Sequence, residues 1–181
     1  MRKHVLIISV AAIIITGCAS GPPEGVPPLD LVDEVDVNRY LGRWYEIARF
    51  PHGFEKNIVG ATAEYSLRDD GKIQVINSGF KKTLDGPYTQ VKAVAWVPNP
   101  ERPGALKVRF FRLFTADYLI FGLDTDNYQW ALVGNQSREF LWLLARTPSI
   151  DNELYNKMVQ LADNQGFETE KLVKVPQKPR E

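Results

Sequence analysis

The chain has 181 residues, with 22 basic and 22 acidic side chains and a formal net charge of zero at pH 7. That length fits one domain, and with no basic excess or stripe, nucleic acid is excluded as a partner. One cysteine and two histidines leave no internal disulfide and argue against a transition-metal site, while nine Phe, seven Tyr and four Trp supply large apolar faces.

Arg2, Lys3 and His4 precede an apolar stretch from Val5 to Ile15. A basic start, a short apolar run and small residues before a cut spell a secretory signal, here residues 1–17. The run falls short of the ~20 apolar residues of a membrane span. Cys18 ends the sequence Ile15-Thr16-Gly17-Cys18. This segment resembles the lipobox of bacterial lipoproteins. The resemblance implies cleavage before Cys18, a diacylglycerol on its thiol, and an acyl chain such as palmitate on the new amine. Each buried methylene contributes ~0.8 kcal/mol, so several chains hold where one binds marginally. Ala19, in place of an Asp, implies the outer membrane, with the domain facing the periplasm. A plain secreted protein with one unpaired thiol is the other reading.

Residues 19–28 read Ala-Ser-Gly-Pro-Pro-Glu-Gly-Val-Pro-Pro. Proline blocks helix and sheet alike, so residues 18–31 are expected to form a lipidated cysteine and a semi-extended tether. The folded domain is expected over 32–181. Asp36 caps a short helical turn through Leu41, and Gly42 ends it. Strands are then expected at 44–50, 61–67, 73–80, 90–97, 105–112, 118–123, 129–133 and 140–145. Asp69-Asp70-Gly71 marks a hairpin, and Pro98-Asn99-Pro100 stops the fourth strand. Eight short strands at regular spacing predict an all-β, eight-stranded antiparallel up-and-down barrel, which leaves no open edge. After Thr147-Pro148 the period changes. Asp151 caps a helix from Asn152 to about Gln165, and Gly166 stops it. Leu154, Met158 and Leu161, with Tyr155, Val159 and Ala162, form a stripe that packs on the outside of the sheet. A last short strand is expected at 172–175.

Three separated segments carry a family resemblance. They are Gly42-Arg43-Trp44-Tyr45-Glu46-Ile47-Ala48-Arg49, Thr115-Ala116-Asp117-Tyr118, and Leu143-Leu144-Ala145-Arg146-Thr147-Pro148. In register with eight strands and a terminal helix, they resemble the lipocalins. With the lipobox, the chain is similar to the bacterial outer-membrane lipoprotein lipocalins, relatives of apolipoprotein D. Arg112-Leu113-Phe114-Thr115 and the Pro-rich start depart from a fixed pattern. The resemblance implies that Trp44 plugs the closed end of the barrel and that Arg146 lies across its ring, a contact of about 0.5–2 kcal/mol. Asp117 and Tyr118 are expected to order the turn into the sixth strand.

Eight strands leave room for one small ligand. Alternation selects Ala63, Tyr65, Val75, Asn77, Ala93, Ala95, Val108, Phe110, Trp142 and Leu144 as inward positions. The three alanines would make room, and Tyr65, Phe110 and Trp142 would make walls. The residues alone leave a filled barrel and a cavity equally open; the resemblance implies the cavity. Glu46 shares the parity of Trp44. Inside, it must find a partner, Tyr65 or Asn77, or take up a proton; at a bulge it would face outward.

The resemblance further implies a fatty acid or lysophospholipid ligand, stored or transported during envelope maintenance. Its head would stay wet at a rim near Phe54, Trp96 and Phe114. No cofactor is implied, and a homodimer is compatible with the sequence. Catalytic patterns are scarce: no G-x-S-x-G elbow, no H-E-x-x-H, and Cys18 spent on lipid. His52, after Pro51, reads as a solvated loop residue. A binding protein rather than an enzyme is therefore expected. The alternatives are an esterase on the same barrel, using Glu46 or His52, and a structural lipoprotein with a filled barrel.

Overall fold

The computed structural model describes residues 21–111 and 113–178. The signal segment, Cys18, Ala19 and Arg112 lie outside the described residues. A short helix α1 (Val37–Tyr40) leads into β1 (Gly42–Arg49), β2 (Ile58–Leu67), β3 (Ile73–Lys81), β4 (Tyr88–Trp96), β5 (Ala105–Phe110), β6 (Phe114–Leu123), β7 (Trp130–Gly134) and β8 (Leu141–Ala145). Helix α2 (Asn152–Asn164) and a two-residue strand β9 (Val173–Lys174) follow. Neighbouring strands pair in chain order from β2 to β8. β1 pairs with β8 on one side and β2 on the other, which closes the barrel, and β9 adds to β1. All these pairings are antiparallel.

The strand ends differ from those read in the sequence. β2 and β4 start earlier, at Ile58 and Tyr88, because ladder bonds to β3 outlast the alternating apolar pattern. β6 starts at Phe114, so Thr115–Tyr118 lie inside a strand rather than at a turn. Asp117 faces Lys107 across the ladder and pairs with it at 2.5 Å.

Closure gives every strand an inner and an outer face, and two separate clusters result. The inner one holds Trp44, Tyr65, Val75, Ala93, Ala95, Val108, Ile120 and Leu144. The outer one packs Ile47, Phe121, Leu132, Leu143, Met158, Ala162 and Phe167 under α2. Helix α2 is capped by Asp151, whose carboxylate accepts from Leu154 N at 2.8 Å. Of its apolar stripe, Met158 and Ala162 are buried and Leu161 is left exposed. The N-terminal segment also docks. Leu29 is buried in the outer cluster, and Pro27 O accepts from Arg138 Nη2 at 2.8 Å, so packing begins upstream of the expected start at Val32.

One end is sealed. Trp44 is fully buried, and its indole N–H donates to Tyr40 O at 2.8 Å. The Arg146 guanidinium carbon lies 3.9 Å from the Trp44 ring centroid. The same fork donates to the carbonyls of Arg39, Arg43 and Tyr128 at 2.6, 3.0 and 3.1 Å. Gly42 turns the chain from α1 into β1 at φ +91°, where a Cβ would be strained and would touch Arg146 Nη1. Arg146 thus ties α1, β1 and the β6–β7 turn to one ring. Lysine keeps the charge but not the planar fork. Arg146→Lys is expected to cost about 2 kcal/mol by leaving carbonyls unpaired, read as a lowered urea midpoint with an unchanged slope.

Candidate ligand-binding site

The strands run so that loops 50–57, 82–87, 111–113 and 135–140 ring the end opposite Trp44. From that open end the inner wall changes character with depth. Ala63, Tyr65, Val75, Ala93, Ala95, Val108 and Leu144 are all buried and in mutual contact, so they form a packed floor. The small side chains expected to make room are filled by their neighbours. Nearer the mouth, Asn77, Phe110 and Trp142 remain partly accessible. Among these inward positions, accessible surface is therefore confined to the upper half.

A hydroxyl network lies within this floor. Tyr118 OH sits 2.7 Å from Tyr40 OH and 2.8 Å from Tyr65 OH. Burial raises the pKa of all three phenols, so they stay neutral donors and acceptors. Tyr118 is thus an interior residue.

The wall beside the mouth is charged. β1 carries a bulge: Glu46 faces Leu144, and Ala48 faces Leu143, leaving one extra residue between. Ile47 and Ala48 both join the outer cluster, so the inward side passes from Glu46 to Arg49. Both are buried, and Arg49 Nη1 donates to Glu46 Oε2 at 2.8 Å. Arg49 Nη2 donates to the carbonyls of Glu55 and Ile58, at 3.1 and 2.8 Å. Its Nε lies 3.4 Å from Glu55 Oε2, which also accepts from the Trp142 indole at 3.4 Å. Glu46 does point inward, but its partner is Arg49 rather than Tyr65 or Asn77. Strict alternation hides this pair, because without the bulge Arg49 has the outward parity.

His52 is not a solvated loop residue. Its side chain is 5% exposed, stacked on Phe54 at 3.9 Å between ring centroids and 5.3 Å from Trp142. Its Nε2 lies 3.1 Å from Glu55 Oε2, out of line for a hydrogen bond, so both ring nitrogens lack a hydrogen-bond partner. The 3₁₀ turn Gly53–Glu55 folds this loop back over the mouth. Of the expected rim residues, Phe54 and Phe114 stand exposed at the open end. Trp96 ends β4 at the opposite end, near the Arg109 guanidinium. Counting strand directions from Trp44 would have found this.

Two carboxylates therefore share one buried guanidinium. Burial, reinforced by the charge of Glu55 and opposed by Arg49, pushes the Glu46 carboxyl up to about 8. An acid whose pKa rises on folding binds more protons folded than unfolded. Its contribution to stability then falls as pH rises from its unfolded value of 4.5 to about 8. Glu46→Gln is expected to flatten that fall while Glu55 keeps Arg49 paired. Urea midpoints measured across this window check it; equal slopes in the two proteins would place the titration elsewhere.

Comparison with known proteins fixes the family. A family model described as a lipocalin-like domain matches residues 35–177. The chain belongs to the lipocalin-like family. It is 38% identical to outer membrane lipoprotein Blc of Vibrio cholerae, over 98% of this chain and 99% of that one. It is 41% identical to the Escherichia coli K12 protein of the same name, over 98% of both. Mouse apolipoprotein D is 36% identical over 83% of this chain and 80% of its own. Among solved structures, tobacco hornworm insecticyanin superposes with a TM-score of 0.67, covering 84% of this chain and 86% of that one, at 18% identity. That likeness shows the fold alone. The near full-length match to the lipoprotein members places the protein with them, in the bacterial outer membrane.

Proposed function

We propose that this lipocalin holds a single long-chain lipid with a polar head, a fatty acid or lysophospholipid, for storage or transport in envelope maintenance. Acylated Cys18 would anchor it to the outer membrane, with the domain facing the periplasm. The observation that carries this reading is the division of the upper barrel. Phe110 and Trp142 offer apolar wall, while the Glu46–Arg49–Glu55 cluster lies beside the mouth. An acyl chain gains by leaving water against the aromatic wall. A polar head does better where buried groups can hydrogen-bond it. The packed floor limits how deep the chain runs.

The test is to delipidate the processed protein and titrate fatty acids and lysophospholipids while following tryptophan emission. Saturable one-to-one binding is expected, weakened about tenfold or more by Trp142→Ala or Phe110→Ala (each tenfold being about 1.4 kcal/mol). A folded protein that takes up no lipid would instead be a structural lipoprotein with a filled barrel. Turnover of the lysophospholipid, lost in Glu46→Gln or His52→Ala, would make the barrel an enzyme.

A further inference from the structure

Among the described residues, five of the eight exposed large apolar side chains lie at the open end. They are Phe54 in the β1–β2 loop, Tyr88 at the start of β4, and Phe111, Leu113 and Phe114 at the β5–β6 hairpin. Leu113 is 82% exposed and Phe111 69%. Leu113 N donates to Phe110 O at 3.1 Å, closing a tight turn, and Phe111 sits in it at φ +49°. The connection between the paired Phe110 and Phe114 has three residues, and a positive φ in a hairpin turn is normally taken by Gly, Asn or Asp. A bulky aromatic there costs backbone energy and gains nothing in water, so the residue choice points outside the folded chain. Lys56 and Lys82 in loops and Lys81 at the end of β3 are exposed at the same end, alongside exposed Asp85 and Glu139.

The N-terminal segment leaves from this end too. Pro23 and Val26 line a cleft with Phe50, Pro51 and Arg138, all beside the open-end loops. A Cβ on Gly166, past the end of α2, would meet Val26 Cγ1 at 2.9 Å. From Val26 back to Cys18 is eight residues, a reach of at most about 28 Å. β1 alone, at eight residues, is about 26 Å long. A membrane at the closed end would therefore consume the whole connection along the barrel wall. A membrane at the open end needs little of it.

We propose that the open end is a membrane-docking surface: Phe111, Leu113 and Phe114 dip into the head-group region of a phospholipid layer, flanked by Phe54 and Tyr88. This rests on Cys18 being the anchor. Apolar side chains exposed on a rim suit insertion at a lipid interface. Lipid then passes between layer and barrel without crossing water.

The test uses the processed full chain in vesicles of phosphatidylethanolamine and phosphatidylglycerol. Leu113→Cys and, at the opposite end, Leu67→Cys each carry an environment-sensitive nitrobenzoxadiazole label. The intact mass of the protein reports acylation of Cys18, which also blocks that thiol from the label. At position 113 a blue shift is expected, with severalfold quenching by nitroxide lipids labelled near the head group; position 67 stays water-like. Water-like emission at both positions in the acylated protein overturns the proposal. So does quenching at 67 instead of 113. A blue shift at 113 that grows with protein density but ignores nitroxide lipids means a second copy covers the hairpin, and also overturns it. A mass without acyl chains sinks the anchor on which it rests. Lipid uptake by tryptophan emission is measured separately on the same variants, so an empty barrel and an undocked rim are told apart.

Discussion

The bulge in β1 decides what kind of interior this barrel has. A closed barrel divides each strand into an inner and an outer series, and a regular β1 would alternate Trp44, Glu46 and Ala48 inside. The extra residue sends Ile47 and Ala48 together to the outer cluster under α2 and brings Arg49 inward. Glu46 would otherwise be a buried carboxylate without a counter-charge, which is strongly unfavourable. With Arg49 beside it, Glu46 has a hydrogen-bond partner, while Glu55 and two carbonyls take up the guanidinium's other N–H groups. The same device anchors the β1–β2 loop over the mouth, because Glu55 and its carbonyl belong to that loop. Wall, loop and polar cluster thus follow from one inserted residue.

The sealed end sets the complementary limit. Trp44 and Arg146 close the bottom, and the three tyrosine hydroxyls are linked through Tyr118 just above. Two hydrogen bonds link the three hydroxyls, and the alanines beside them are packed among larger neighbours. The interior is therefore graded: packed below, apolar and partly accessible at Phe110 and Trp142, polar at the mouth. Such a gradient matches the long, one-ended lipid proposed as the ligand.

Much of the architecture was legible in the chain because it rests on local patterns. Alternation in β2 to β5, the Asp-Asp-Gly hairpin and the Asp151 cap each have a short-range cause, and each appears where those causes put it. What escaped depends on partners far along the chain. Arg49 faces inward only because β8 pairs around a bulge. His52 is buried only because its loop folds onto Trp142, 90 positions later. Trp96 reads as a rim residue until the strand directions are counted, when it falls at the other end. The docking of Leu29 was masked by the prolines around it, which describe the backbone's stiffness and say nothing of the surface it meets.

The proposed anchor at Cys18 and the mouth have to be considered together. A tether emerging at random would let the barrel tumble over the membrane, and its orientation would carry no cost either way. Here Pro27 is held by Arg138 and Leu29 is buried, so the free connection is short and its point of exit is fixed beside the open end. Shortening a tether raises the effective concentration of whatever lies near its root relative to the membrane. The groups nearest that root are the rim loops, and they carry apolar side chains that a solvated rim would not need. Weak insertion of a few such residues would be marginal in free solution, yet it would become favourable with the proposed anchor already holding the two surfaces together. Under the proposed anchoring at Cys18, the geometry of attachment, more than the affinity of the rim, would determine which way the barrel faces.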